Sequence, residues 1–251
     1  MKNTKILYVD AVSGEPDPCL VGDPWTAVTA QAKRREARAS LRAIAARIEG
    51  ASGVVAADAV ALVRQLQLWL VQDRSGVLGA IHDNEERDGT YSHVIAVSIL
   101  MMNLGQELGL GDDRVLDLGL AGLFHDIGKL TVPRDILEKP GKLDADELQR
   151  MREHAREGLD LLQASDIRSP VVLDVCLHHH ERLDGTGYPD GLRGDELSYE
   201  ARISCICDVY DALISARSYK QQWSREEALA VLDAPAKYDA ALVAAFIRSL
   251  G

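Results

Sequence analysis

Residues 91–110 read YSHVIAVSILMMNLGQELGL, and their pattern decides the fold. Apolar side chains recur around nearly the whole circumference of a 3.6-residue helix instead of along one stripe. Such a helix has no face to offer water, so it belongs in the centre of a helical bundle. His93 stands at its beginning, where a buried and rigid helix makes a firm mount for a ligand.

Working outward, the same period dominates the rest of the chain, with no strand ladder and no internal repeat, so the expected class is all-α. Upstream, AKRREARASLRAIAARI (32–48) and DAVALVRQLQLWLVQD (58–73) each carry apolar residues on one face. They read as lead-in helices, with a loop expected near Ser75 and Gly76. Downstream, a helix over about 113–127 is expected to stop at Gly128 as a C-terminal cap and to deliver His125 and Asp126 in its last turn. Asp144 and Glu147 form a D-x-x-E capping box for a helix that continues through His154. Ser169 and Pro170 open the next, SPVVLDVCLHHHERL, with proline in the first turn where its missing N–H costs little. SYEARISCICDVYDALISA (198–216) holds Asp208, Ser224 and Glu227 box a further helix, and YDAALVAAFIRSL closes the chain. The expected division is an N-terminal, mostly helical region over 1–80 and a second domain over 81–251.

Of 251 residues, 47% are apolar, enough for a substantial core. No apolar run approaches the ~18–20 residues of a membrane span, and the start, MKNTKILYVD, lacks the apolar segment of a signal peptide, which points to a cytoplasmic protein. The four cysteines, Cys19, Cys176, Cys205 and Cys207, are scattered and read as free thiols. A net charge of −11 opposes nonspecific attraction to DNA or anionic lipid, so an anionic substrate would need strong local positive charge.

Three of the seven histidines are consecutive, in HHHERLDGTGYPDG (178–191). With His93, His125, Asp126, His154 and Asp208 on other helices, His179 and His180 complete seven candidate metal ligands. They are too dispersed for a local zinc finger, but converging helices build such sites from facing side chains. Imidazole and carboxylate without thiolate suit iron, manganese or zinc, and seven ligands are too many for one ion. Two divalent metals sharing one carboxylate are the economical reading, and such a pair lowers the pKa of water toward ~7 and clamps a phosphoryl group.

At these residues the sequence resembles the HD-GYP family of metal-dependent phosphohydrolases. The matching pieces are TYSH (90–93), FHDIGK (124–129), HAREG (154–158), HHERLDGTGYP (179–189) and ARISCICDVYDALISARSYK (201–220), in the family's order. The resemblance implies an all-α domain that hydrolyses cyclic di-GMP to linear pGpG, and slowly to GMP, in bacterial signalling. It implies that Asp126 bridges two metals, most readily iron or manganese. His93, His125 and Asp208 would complete one site, and His154, His179 and His180 the other. Lys129 would face a substrate phosphate, Arg217 and Lys220 would hold the other phosphate or the ribose side, and Tyr188 would sit at a rigid lip on a loop that Gly185 and Gly187 allow to turn through positive φ. GGDEF-domain proteins as partners and a homodimer are further expectations. His178 lies outside the family pair, and Glu181 and Asp184 are candidates for orienting the loop or the ligands. Gly89 stands where members with a third metal carry glutamate, which speaks against a third metal and against efficient cleavage to GMP. The other readings are a cyclic dinucleotide-binding module of low activity and a hydrolase of another cyclic dinucleotide such as cyclic GMP-AMP.

Overall fold

The helix expected over 91–110 forms as α4 (Gly89–Glu107), and the other elements are arranged around it. The computed structural model describes residues 27–50, 55–80, 89–215 and 223–251. Among them the elements are α1 (Ala27–Glu49), α2 (Ala56–Gln72), α3 (Arg74–Ala80), α4, α5 (Asp112–Phe124), α6 (Arg134–Leu137), α7 (Ala145–Arg152), α8 (His154–Ala164), α9 (Pro170–His178), α10 (Tyr199–Ile214), α11 (Arg225–Leu232) and α12 (Ala240–Ser249). Within the described residues the fold is all-α, with a lone bridge between Asp184 and Arg193 as its sole β pairing.

Helix α4 packs against α1, α2, α5, α10 and α12, which is why its side chains are apolar on every side. Leu100, Met101, Met102 and Leu104 are fully buried, each worth about 1.5–3 kcal/mol relative to exposure. The lead-in helices share this core: Leu41 and Ile44 of α1 and Val63 and Leu66 of α2 belong to the same apolar cluster as Phe124 and Phe246. Polar ties fasten them too. Asp166 accepts from the N–H groups of Val55 and Ala56 at 2.7 and 3.0 Å, serving the start of α2 from a distant part of the chain. Among the described residues no helix is long and apolar enough to cross a membrane.

The caps read from the sequence form as hydrogen bonds. Asp144 accepts from Glu147 N at 2.9 Å while Glu147 accepts from Asp144 N at 2.8 Å, and Ser224 and Glu227 make the same reciprocal pair. Ser169 receives the N–H of Val172 with Pro170 in the first turn.

Three expectations are corrected. Ser75 and Gly76 lie inside α3 instead of a loop, because Asp73 accepts from Gly76 N at 2.9 Å and starts a new helix. Helix α5 stops at Phe124, and Gly128 is no cap: it lies in a 3-10 turn, Ile127–Thr131, with its α-carbon pressed against α8. A side chain there would meet the backbone of His154 and the nitrogen of Gly158 at 2.6 Å. The helix expected from 144 through His154 is broken at Glu153, where Met151 O takes hydrogen bonds from Glu153 N and from the His154 ring. Residues 6–9 (ILYV), which read as a brief strand-like run, and His82, which has no motif partner, fall outside the described residues together with Cys19, while Cys176, Cys205 and Cys207 are free and buried.

Candidate metal centre

Four helix termini and the middle of a fifth helix converge on one buried point. His93 comes from the first turn of α4, and His125 and Asp126 follow α5. His154 opens α8, His179 and His180 follow α9, and Asp208 projects from the middle of α10. Placing ligands at helix termini rather than in helix interiors lets neighbouring residues such as His125–Asp126 and His179–His180 face the same point, which a continuous helix would forbid.

The seven fall into two groups, His93, His125 and Asp208 in one and Asp126, His154, His179 and His180 in the other, with candidate ligand atoms in each group within 4.8 Å of one another. Asp126 faces both. Its Oδ2 lies 3.4 Å from His125 Nε2 and 3.7 Å from His93 Nε2, while its Oδ1 lies 3.4 Å from His154 Nε2 and 3.6 Å from His179 Nε2. Asp208 approaches His93 Nε2 at 3.1 Å through Oδ1 and His180 Nδ1 at 3.8 Å through Oδ2.

The far side of the rings fixes what the near side can do. Nδ1 of His125 donates to Gly122 O at 2.8 Å, Nδ1 of His154 to Met151 O at 2.6 Å, and Nδ1 of His179 to the carbonyls of Val175 and Cys176, both at 3.1 Å. A neutral ring with its proton on Nδ1 presents a lone pair at Nε2, and that is the atom each turns inward. His93 uses a carboxylate for the same purpose: its Nδ1 is 2.6 Å from Asp211 Oδ2, and Asp211 is fully buried. Asp211 was not singled out from the sequence. The signal was available, since Asp208 and Asp211 are three residues apart on one helix and so share a face.

The charge states also suit a cation. Burial would raise the Asp126 carboxyl, but Lys129 and His125 outweigh it and hold it well below the usual carboxylate range. Asp208 is likewise held down against its burial, chiefly by His93. Burial drives His154 down to about 4 and lowers His179 and, with help from its neighbour His179, His180. Ionised carboxylates and neutral imidazoles are the forms that ligate metal. His93 is the exception: burial opposes its protonation, but Asp208 and Asp211 prevail and raise it to about 9. Among the described residues, His125 Nε2 and Asp126 Oδ1 are buried without a hydrogen-bond partner. Orphaned acceptors of this kind cost about 1–3 kcal/mol each unless something pairs with them, and a divalent cation in each ligand group would do so.

The loop over the centre is fastened at Glu181. This carboxylate is fully buried, and its Oε1 accepts from the N–H groups of Asp190 and Gly191 at 2.7 and 2.9 Å. Gly185 turns through φ +75°, but Gly187 does not; it is needed because a side chain there would collide with the backbone of Glu181 and Arg182. Asp184 closes a turn onto Thr186 N at 2.9 Å. Tyr188 is thereby laid on His180, ring centroids 4.6 Å apart and tilted by 32°, with His154 at 6.4 Å. His178 ties the same loop to α9, its Nδ1 2.7 Å from Asp174 and its Nε2 3.1 Å from Asp190. Lys129 forms an ion pair with Asp126 Oδ2. Arg217 and Lys220 lie outside the described residues.

A helical bundle with histidines and aspartates paired at helix ends around a buried cation site defines a metal-dependent domain of the HD type. The chain belongs to the HD domain family, whose model matches residues 72–242, and its motifs place it in the HD-GYP group. It is 41% identical over 196 residues to the cyclic di-GMP phosphodiesterase PA4108 of Pseudomonas aeruginosa, an alignment covering 78% of this chain and 47% of that one. It is 40% identical over 139 residues to the 3′3′-cGAMP-specific phosphodiesterase 2 of Vibrio cholerae, covering 55% of this chain and 27% of the relative. The chain thus spans half or less of the length of these relatives. A solved structure, Bd1817, an HDG"Y"P protein from Bdellovibrio bacteriovorus, shares the fold with a TM-score of 0.73 at 22% identity, over 93% of this chain and 74% of its own.

Proposed function

We propose that this domain is a binuclear-metal phosphodiesterase that hydrolyses cyclic di-GMP to linear pGpG, with slow further cleavage to GMP. The observation that carries the reading is the division of one carboxylate: each oxygen of Asp126 faces a different set of imidazoles. His93, His125 and Asp208 would hold one divalent ion and His154, His179 and His180 the other, with Asp126 shared. Bound there, two such ions supply Lewis acidity toward a phosphoryl oxygen and an activated water. The imidazole–carboxylate set suits iron or manganese.

The chain's own residues do the rest. The Nδ1 anchors on backbone carbonyls and on Asp211 hold five-membered rings at fixed tilt, so the ligands need no reorganisation when substrate arrives. Hydrolysis adds water across one P–O3′ bond, leaving a phosphate monoester and a 3′ hydroxyl, and the departing oxygen needs a proton. Lys129, an ammonium held beside the ligand cluster by Asp126, is the group of this chain we assign to donate it and to face the phosphate. Arg217 and Lys220 are assigned to the remaining phosphate or ribose and Tyr188 to the lip of the site, as the motif resemblance implies. The proposal extends to a cytoplasmic setting, a homodimer and GGDEF-domain partners.

The test is product chromatography after mixing cyclic di-GMP with protein purified without oxygen and loaded with iron or manganese, beside Asp126→Ala. The expected result is pGpG from the wild type and none from the variant. Turnover by the variant, or no product from fully loaded wild type, overturns the reading. The similarity to a relative named as specific for 3′3′-cGAMP favours cyclic GMP-AMP as the second substrate to try, and competition between the two dinucleotides decides the preference.

A further inference from the structure

A cyclic dinucleotide carries two phosphodiesters, and one reacts at a time. On the reading proposed above, the metal centre serves the reacting one; the other is an anion brought to a chain whose net charge is −11. Some cation at the mouth of the site must meet it.

Most of the cations nearby are already committed. Lys129 is paired with Asp126. Arg150 pairs with Glu153 and Glu157 at 3.1 and 2.9 Å, and Arg156 pairs with Asp190. Arg182 is turned inward, donating to the carbonyl of Glu181 at 2.7 Å and to Cys205 Sγ at 3.0 Å. Arg152 differs. It is the last residue of α7, two before His154, and it is exposed. Its guanidinium stands over the ring of Tyr188, 5.1 Å from the centroid, while Tyr188 in turn lies on His180. Among the described residues it makes no ion pair and no side-chain hydrogen bond. A guanidinium held on the face of an aromatic ring by its charge keeps its N–H donors free at the edge, arranged as a fork that fits phosphate oxygens.

We propose that Arg152 is a substrate-binding residue whose guanidinium, held in place on Tyr188, takes the non-reacting phosphodiester of the cyclic dinucleotide, which leaves the ribose side, of the two places assigned above, to Arg217 and Lys220. The arrangement divides the labour across one stack of side chains: His180 belongs to the ligand cluster that would serve the reacting phosphate, Tyr188 is the spacer, and Arg152 meets the second phosphate. The competing structural role, a cation that complements the C-terminal dipole of α7, would act on stability alone.

The experiment compares wild type, Arg152→Gln and Arg152→Lys as the manganese-loaded full chain, on cyclic di-GMP and on bis(p-nitrophenyl) phosphate, a diester with a single phosphate. A charged hydrogen bond is worth about 10–100-fold in affinity, so Arg152→Gln should lower the ratio of kcat/KM on cyclic di-GMP to that on the chromogenic diester by about that factor. The lysine variant should fall between, with melting temperature and metal content unchanged in both. Inhibition of the chromogenic reaction by cyclic di-GMP and cyclic di-AMP should weaken equally in Arg152→Gln. An unchanged ratio, or a parallel loss on both substrates, overturns the proposal, and a loss confined to cyclic di-GMP moves the contact to the guanine edge and overturns it too. Wild type that cleaves the chromogenic diester but no cyclic dinucleotide would show instead that the underlying functional reading is wrong.

Discussion

Replacing Asp211 with asparagine isolates the anchoring of one ligand. Asp211 touches no candidate ion; its Oδ2 sits 2.6 Å from His93 Nδ1 and accepts from Ser215 Oγ at 3.1 Å. The carboxylate keeps one proton of His93 on Nδ1, so that Nε2, 3.1 Å from Asp208, is the atom left to ligate once its own proton is lost. An asparagine of the same shape can present its N–H₂ instead, which permits the wrong tautomer, and it removes the charge that makes the ring a better base. Loss of such an outer partner costs about 10–100-fold in metal affinity, or roughly 1.4–2.8 kcal/mol. The structure also says which ion should feel it. His93 groups with His125 and Asp208, so that ion should weaken while the one facing His154, His179 and His180 stays within about threefold. Chelator competition on apo protein with manganese or zinc, resolving the two binding steps, measures both. Ser215→Ala, which removes a single hydrogen bond from the same carboxylate, should have a much smaller effect. If Asp211→Asn binds two equivalents as wild type does, or weakens both steps alike, the assignment of Asp211 to one half of the centre is wrong.

Metal binding to the apo protein should release about one proton at pH 7, because His93, raised to about 9 by Asp208 and Asp211 against its burial, is protonated there and must lose its Nε2 proton to ligate. Affinity should therefore climb with pH until about 9 and level off; calorimetry in buffers of different ionisation enthalpy counts the proton, and none released at pH 7 contradicts the charge state. Gly128→Ala should destabilise the fold by about 1–3 kcal/mol in urea titration, since its Cβ would press on the backbone of α8, 2.6 Å from Gly158 N. Because Asp126 and His154 flank that contact, metal loading should fall as well, and a neutral substitution would mean the two segments can part freely.

The helical class was legible because it rests on period and capping, which are local. The buried character of α4 and the boxes at Asp144 and Ser224 needed nothing beyond neighbouring residues. The candidate ligand residues were legible as chemistry, three adjacent histidines among seven, and their expected grouping came through motif resemblance rather than through spacing. What stayed hidden was set by contacts between distant segments. Gly128 looked like a helix cap, since the sequence does not reveal that α8 lies against it. Glu181 was a candidate for orienting either the loop or the ligands, and only the N–H groups of Asp190 and Gly191 turned toward it show that it holds the loop. Arg152 carried no signal at all: an arginine among Arg150, Arg156 and several acids reads as a solvated face, and only the placement of Tyr188 distinguishes it.

On the proposed reading a strongly acidic chain acts on an anion, and the electrostatics of the centre make that possible. Without ions, the centre buries the carboxylates of Asp126, Asp208 and Asp211 against the positive charges of Lys129 and His93, one negative charge in excess. The packing around them is apolar, with Phe124, Ile203 and Cys207 buried nearby in sequence, so each charge is strongly felt. On the proposed reading, two divalent ions entering this cavity displace about one proton and leave a net gain of about three positive charges. The same ions fill the space facing the orphaned His125 Nε2 and Asp126 Oδ1, so the free energy of their binding is partly the relief of a cost the folded chain otherwise bears. The net charge of −11 and a binding site for a dianion are therefore compatible: the acidic surface discourages polyanions in general, while the loaded centre, with Arg152 at its lip, attracts one small enough to reach it.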